Sequence, residues 1–155
     1  MGTLTAHMNL HGVESSPLRQ FEAPEGSLLH MLRSDSPQFL GFGEVYISTL
    51  KPGAIKAWKL HHKMTQNLVV PHGQVQFVIY DGRKSSPTYG SVQEIVLSRQ
   101  HYTLLKIPPG LWYGFRGLDK GESLIVNCAS IPHDPAEIER LPHDTERIPY
   151  IWNER

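Results

Sequence analysis

Short runs of alternating side chains, each closed by a turn signal, constrain this chain more than any other feature. Glu44-Val45-Tyr46-Ile47-Ser48-Thr49-Leu50 alternates and ends at Pro52-Gly53. Gln74-Val75-Gln76-Phe77-Val78-Ile79-Tyr80 alternates again and ends at Asp81-Gly82. Asn67-Leu68-Val69-Val70 runs into Pro71-His72-Gly73, and segments 93–97, 102–107 and 123–128 repeat the pattern. Successive strand side chains point to opposite faces, so a period-two run buries one set and exposes the other. Turn signals every ~8–12 residues leave no length for crossover helices, so the strands pair antiparallel in a sandwich or barrel. One segment, Pro135–Arg140, reads as a short helix. Asp134 is its N-cap, Pro135 opens its first turn, and Glu137 occupies the capping-box position.

Composition sets the remaining bounds. The 155 residues read as a single domain, with 132–155 as a docked C-terminal tail. Lys+Arg 15 against Asp+Glu 15 gives no basic face for phosphate backbones, which argues against a nucleic-acid partner. No apolar run approaches ~18 residues, so no membrane partner is expected. The N-terminal MGTLTAHMNLHG lacks a basic stretch followed by an apolar one, so no signal peptide is read. A lone cysteine, Cys128, excludes an internal disulfide and favours a reducing, cytoplasmic setting. Nine histidines raise the question of a metal.

Spacing answers that question. Small metal-binding β-barrels of the cupin type carry Gly-x5-His-x-His-x3/4-Glu-x6-Gly followed by Pro-x-Gly-x2-His. This chain reproduces the frame as Gly53, Lys59, His61, Gln66, Gly73 and then Pro108, Gly110, Tyr113. The frame resembles the cupin double-stranded β-helix, or jelly-roll barrel. Three of the four ligand positions hold Lys59, Gln66 and Tyr113. An ammonium, an amide and a phenol beside one imidazole are not a first-row metal site, so neither metal nor other cofactor is expected.

Three further blocks carry a more specific resemblance. They are Ile55-Lys56-Ala57-Trp58-Lys59-Leu60-His61, Asp81-Gly82-Arg83-Lys84-Ser85-Ser86-Pro87-Thr88-Tyr89-Gly90, and Leu105–Phe115 with its Ile107-Pro108-Pro109-Gly110 turn. Together with Asn127-Cys128 and Asp134–Glu137 they resemble the dTDP-4-dehydrorhamnose 3,5-epimerases, a metal-free cupin branch, over about Val13 to Trp152. The resemblance implies a nucleotide-activated deoxy sugar, dTDP-linked, as partner. A base abstracts a proton next to the 4-keto group of the sugar and an acid returns one to the other face. It also implies a homodimer in which the N-terminal segment 1–35 helps to complete the site.

Residue by residue, the match is uneven. The family's His base falls on Lys59, with Lys56 as the basic residue ahead of it. The Asp that orients the base maps to Asp144. The family's Tyr acid falls at Ile131-Pro132, and its His in the Pro-Pro-Gly block is Tyr113. The enolate-stabilising Lys falls near Asn67, and His30 stands where the family carries a Glu. Lys59 or His61 is therefore the candidate base, Asp144 the orienter and Tyr113 the acid. Lys56, Asn67, Arg83, Glu44, Tyr46 and His30 make the candidate substrate-binding set. The function expected is an isomerase-type enzyme in deoxysugar or polysaccharide biosynthesis. The alternative is a cupin that binds nucleotide sugars or carbohydrate and has lost the chemistry.

Overall fold

The structure is a computed structural model that describes residues 9–153. The strands are β1 (Glu14–Pro17), β2 (Gln20–Ala23), β3 (Gly26–Leu29), β4 (Glu44–Leu50), β5 (Ile55–His61), β6 (Gln66–His72), β7 (Gln74–Tyr80), β8 (Val92–Ser98), β9 (Thr103–Ile107), β10 (Trp112–Gly117), β11 (Ser123–Ala129) and β12 (Ile138–Arg140). They form two antiparallel five-stranded sheets. Sheet one has the order β1-β9-β6-β11-β4 and sheet two the order β12-β5-β10-β7-β8, while β2 and β3 make a separate hairpin. This is the jelly-roll architecture expected from the alternating runs and the cupin frame.

The core lies between the sheets, where Leu50, Leu68, Val75, Phe77, Ile79, Leu105 and Ile125 pack together. Burial does not alternate along β6 and β7, because both of their faces are covered. The N-terminal segment lays Leu18, Leu29, Met31 and Leu32 against Val69, Tyr102 and Leu104 on the outside of sheet one. The C-terminal tail lays Leu141, Ile148, Tyr150 and Trp152 against Trp58, Val78 and Trp112 on the outside of sheet two. The β6–β7 hairpin turns on Gly73, whose φ is +85° and whose missing side chain would sit 2.7 Å from the Ser123 Cα.

The expected short helix over Pro135–Arg140 is a correction. A 3-10 turn spans only Pro135–Glu137, and Asp134 caps it as expected by accepting from the Ala136 amide at 3.0 Å. Residues 138–140 leave the helical path because β5 has an open edge. Ile138 pairs with His61 and Arg140 with Lys59 along it. Ladder pairing there satisfies more backbone groups than one further helical turn would.

Candidate active site

A cavity of about 350 Å³ opens between the two sheets, a size that suits a small-molecule site. Tyr46 and Ser48 of β4, Gln66 and Leu68 of β6, and Ile125 and Asn127 of β11 form its sheet-one wall. Each pair is two residues apart, as the strand period requires. Lys56, Lys59, Tyr113, Phe115 and Arg140 form the facing wall, on sheet two.

Set into that second wall is a buried chain of three groups. Nδ1 of His61 lies 2.5 Å from Glu137 Oε2, and Nε2 lies 3.3 Å from the Tyr113 hydroxyl. The other Glu137 oxygen accepts the Lys63 and Met64 amides at 2.7 and 3.0 Å. A carboxylate accepts, so Nδ1 carries the hydrogen and Nε2 is left to accept from Tyr113. The His61 and Tyr113 rings stack at 5.9 Å, and of the two Tyr113 lines the cavity.

The electrostatics agree with this assignment. Burial holds the His61 pKa below its ordinary value, against the pull of Glu137, so the ring is neutral and has a lone pair to accept a proton. Burial also opposes ionisation of Glu137, but the hydrogen bonds from His61, Lys63 and Met64 outweigh it and hold its pKa low. Tyr113 is pushed well above the usual tyrosine range by burial and stays protonated. The chain can thus take up one proton at His61, and Glu137 then faces an imidazolium it stabilises.

Lys59 reaches the cavity with its pKa lowered by burial first and then by Arg140 and Lys56. Among the described residues none of these three cations is ion-paired. They are free for an anionic ligand. Lys59, His61, Gln66 and Tyr113 hold the four positions that carry metal ligands in cupins, and their donor set does not suit a first-row metal.

The family description dTDP-4-dehydrorhamnose 3,5-epimerase matches residues 28–154. The chain belongs to this epimerase family. Within it, the chain is 34% identical over 150 residues to the "Probable low-salt glycan biosynthesis epimerase Agl13" of Haloferax volcanii, covering 94% of this chain and 96% of that protein. It is 30% identical over 146 residues to the spore coat polysaccharide biosynthesis protein SpsL of Bacillus subtilis, covering 93% and 97%. A dTDP sugar isomerase from Desulfovibrio desulfuricans G20 superposes with a TM-score of 0.90 at 48% identity, covering 92% of each chain.

Against this epimerase framework, the site residues expected from sequence divide. Lys56, Lys59, Tyr113 and Tyr46 line the cavity, and His61 contacts the Tyr113 hydroxyl without itself lining the cavity. Asp144 is not the orienter of His61. It lies in the tail among residues 143–152, and β12 pairing brings Glu137 to the imidazole instead. Asn67 does not face the cavity, because strand parity turns its neighbours Gln66 and Leu68 inward. Arg83 is held away by fully buried Asp81, whose carboxylate accepts from the Arg83 guanidinium and amide and from the Ser86 and Thr88 hydroxyls. Glu44 accepts the His133 amide at 2.9 Å rather than facing the cavity. His30 sits beyond the β2–β3 hairpin, tilted against Phe21 at 5.4 Å.

Two residues of the site escaped the sequence reading. Glu137 satisfies the capping-box pattern, which hides its second role. Arg140 falls at the end of the expected helix. The available signal was the Ile138-Glu139-Arg140 alternation, which suits an edge strand better than a helix.

Proposed function

We propose that this protein is a sugar-nucleotide epimerase. It abstracts a proton next to the ketone of a dTDP-linked 4-keto-6-deoxy sugar, in deoxysugar or polysaccharide biosynthesis. The observation that carries this reading is the Glu137–His61–Tyr113 chain in the cavity wall. As the C–H bond breaks, the substrate proton passes to the Tyr113 oxygen and the phenol's own proton passes to His61 Nε2. The negative charge left on the enolate faces the Lys59 ammonium, with Arg140 and Lys56 available to the diphosphate. Preorganised cations of this kind lower the barrier without moving during the reaction.

The test is incubation of a dTDP-linked 4-keto-6-deoxyhexose in heavy water. Deuterium should enter at the carbons flanking the ketone, and His61→Asn should slow that entry by about 100-fold or more. Binding of the nucleotide sugar without any deuterium entry would instead indicate a binding protein.

We further propose a homodimer in the cytoplasm. Apolar side chains at 40–47, including Phe42 (69% exposed) and Ile47 (63% exposed), flank the open edge of β4. The β2–β3 hairpin exposes Phe21 and Leu28 in turn. Within the expected contact segment the exposed face of the β2–β3 hairpin is thus available for it, and residues 1–8 lie outside the described residues. Cys128, a buried free thiol, suits a reducing compartment.

A further inference from the structure

We propose that Tyr46 is the catalytic acid that returns a proton to the sugar from the wall opposite His61. This rests on the epimerase reading above. Inversion requires that a proton leave one face of a planar enolate and another arrive on the opposite face. A single wall of groups can exchange a proton but cannot invert the centre. The cavity lies between two sheets, and His61 and Tyr113 of the Glu137–His61–Tyr113 chain are on sheet two, with Glu137 just ahead of its edge strand β12. The partner acid must therefore stand on sheet one.

The described residues lining that wall are Tyr46, Ser48, Gln66, Leu68, Ile125 and Asn127. Two are aliphatic and two are neutral amides. A serine hydroxyl is a far weaker acid than a phenol. Tyr46 is the acidic proton left. The position at which family resemblance expects a tyrosine acid holds Ile131 and Pro132, so the role needs a new occupant.

Local bonding fits Tyr46 to the task. Its oxygen accepts a hydrogen bond from Asn127 Nδ2 at 2.9 Å, which stabilises a phenolate as it forms. Its own hydrogen points to no better acceptor than the Met64 sulfur at 3.9 Å and is free to turn to a ligand. Burial raises the Tyr46 pKa, Asn127 opposes that rise, and Glu44 and Glu137 add to it, so the phenol is protonated at neutral pH.

The steps balance. The C–H bond breaks and its proton enters the Tyr113–His61 pair. The Tyr46 O–H bond then breaks as the new C–H bond forms on the other face. Water at the cavity mouth reprotonates Tyr46, and His61 releases its proton to solvent.

Tyr46→Phe tests this by separating exchange from inversion. With a dTDP-linked 4-keto-6-deoxyhexose in heavy water, the variant should still exchange its substrate hydrogen for deuterium with retention. Formation of the inverted sugar should fall by about 100-fold or more. Calorimetric titration with dTDP should show affinity within about twofold of the parent enzyme, because the lost hydroxyl acts at the sugar. Inversion at the parent rate overturns the assignment. So does an equal loss of exchange and inversion, which would make Tyr46 a positioning residue. A parent enzyme that neither exchanges nor inverts overturns the epimerase reading, and the assignment with it.

Discussion

His61 and Glu137 carry the clearest pH signature in the molecule. Both have folded-state pKa values below their ordinary 6.5 and 4.5. For Glu137, the stability gained by its hydrogen bonds is complete above the unfolded value and is lost as pH falls through the folded one. For His61, the unfolded chain binds its proton first, so stability also drains away as pH falls below 6.5. The two act in the same direction. The melting temperature should therefore fall as pH drops below about 6.5 through His61 and go on falling below about 4.5 through Glu137, by roughly 2–4 °C for each 1 kcal/mol lost. In Glu137→Gln the fall below pH 4.5 should disappear, because a glutamine binds no proton, while the fall between pH 6.5 and 4.5 should steepen, because Glu137 no longer raises the His61 pKa. That variant should also exchange deuterium about 100-fold more slowly, since no carboxylate stabilises the imidazolium. Thermal melts across a pH series, beside exchange rates, measure both. A parent melting temperature flat over this range would refute the neutral-imidazole, ionised-carboxylate assignment.

The strands place these groups, and their spacing tolerates little change. β10 pairs with β5 on one side and with β7 on the other, and its register with β5 slips between Tyr113 and Gly114. A side chain at Gly114 would have its Cβ 2.5 Å from Ala57 Cβ and 3.1 Å from Trp152 Cζ2. Gly114→Ala should therefore push β10 off β5 and cost about 1–3 kcal/mol, as overpacking in cores does. Because Tyr113 is the adjacent residue, exchange activity should fall with it. Denaturant melts and exchange rates read the two effects, and a variant as stable and active as the parent would mean that this contact relaxes freely. The same strand geometry explains what the sequence disclosed. β4, β7, β8, β9 and β11 announce themselves by alternation, and the Gly53-to-Tyr113 spacing locates the cavity. β1 to β3 are four-residue strands and β12 has three residues, too short for a periodic signal. The orienting carboxylate has no legible position in the sequence for that reason. Without β12, nothing in the sequence distinguishes Glu137 from Asp144 as the group that reaches His61. Arg83 is hidden for a different cause, since its capture by Asp81 depends on a turn whose side-chain bonds have no sequence period.

Taken whole, the molecule covers most of its apolar faces with its own termini and leaves one side bare. The N-terminal segment shields the outside of β6 and β9, and the C-terminal tail shields β5, β7 and β10. β4 lies at the edge of sheet one with no cover, and its outward Val45 and Ile47 are 49% and 63% exposed. An uncovered edge strand with apolar outward side chains is an aggregation hazard unless another chain occupies it. The opposite side chains of the same strand, Tyr46 and Ser48, line the cavity. A second copy docked on β4 would therefore stiffen the sheet-one wall of the site, and dimerisation and catalysis would be linked through one strand. Ile47→Lys places a charge in the proposed contact while leaving the cavity face of β4 intact. In sedimentation analysis at micromolar concentration the parent should run as a dimer of 17.6 kDa chains and the variant as a monomer. The variant should keep its melting transition but lose turnover as the β4 wall loosens. A parent that sediments as a monomer, or a monomeric variant with full activity, would separate the exposed strand from the function of the site.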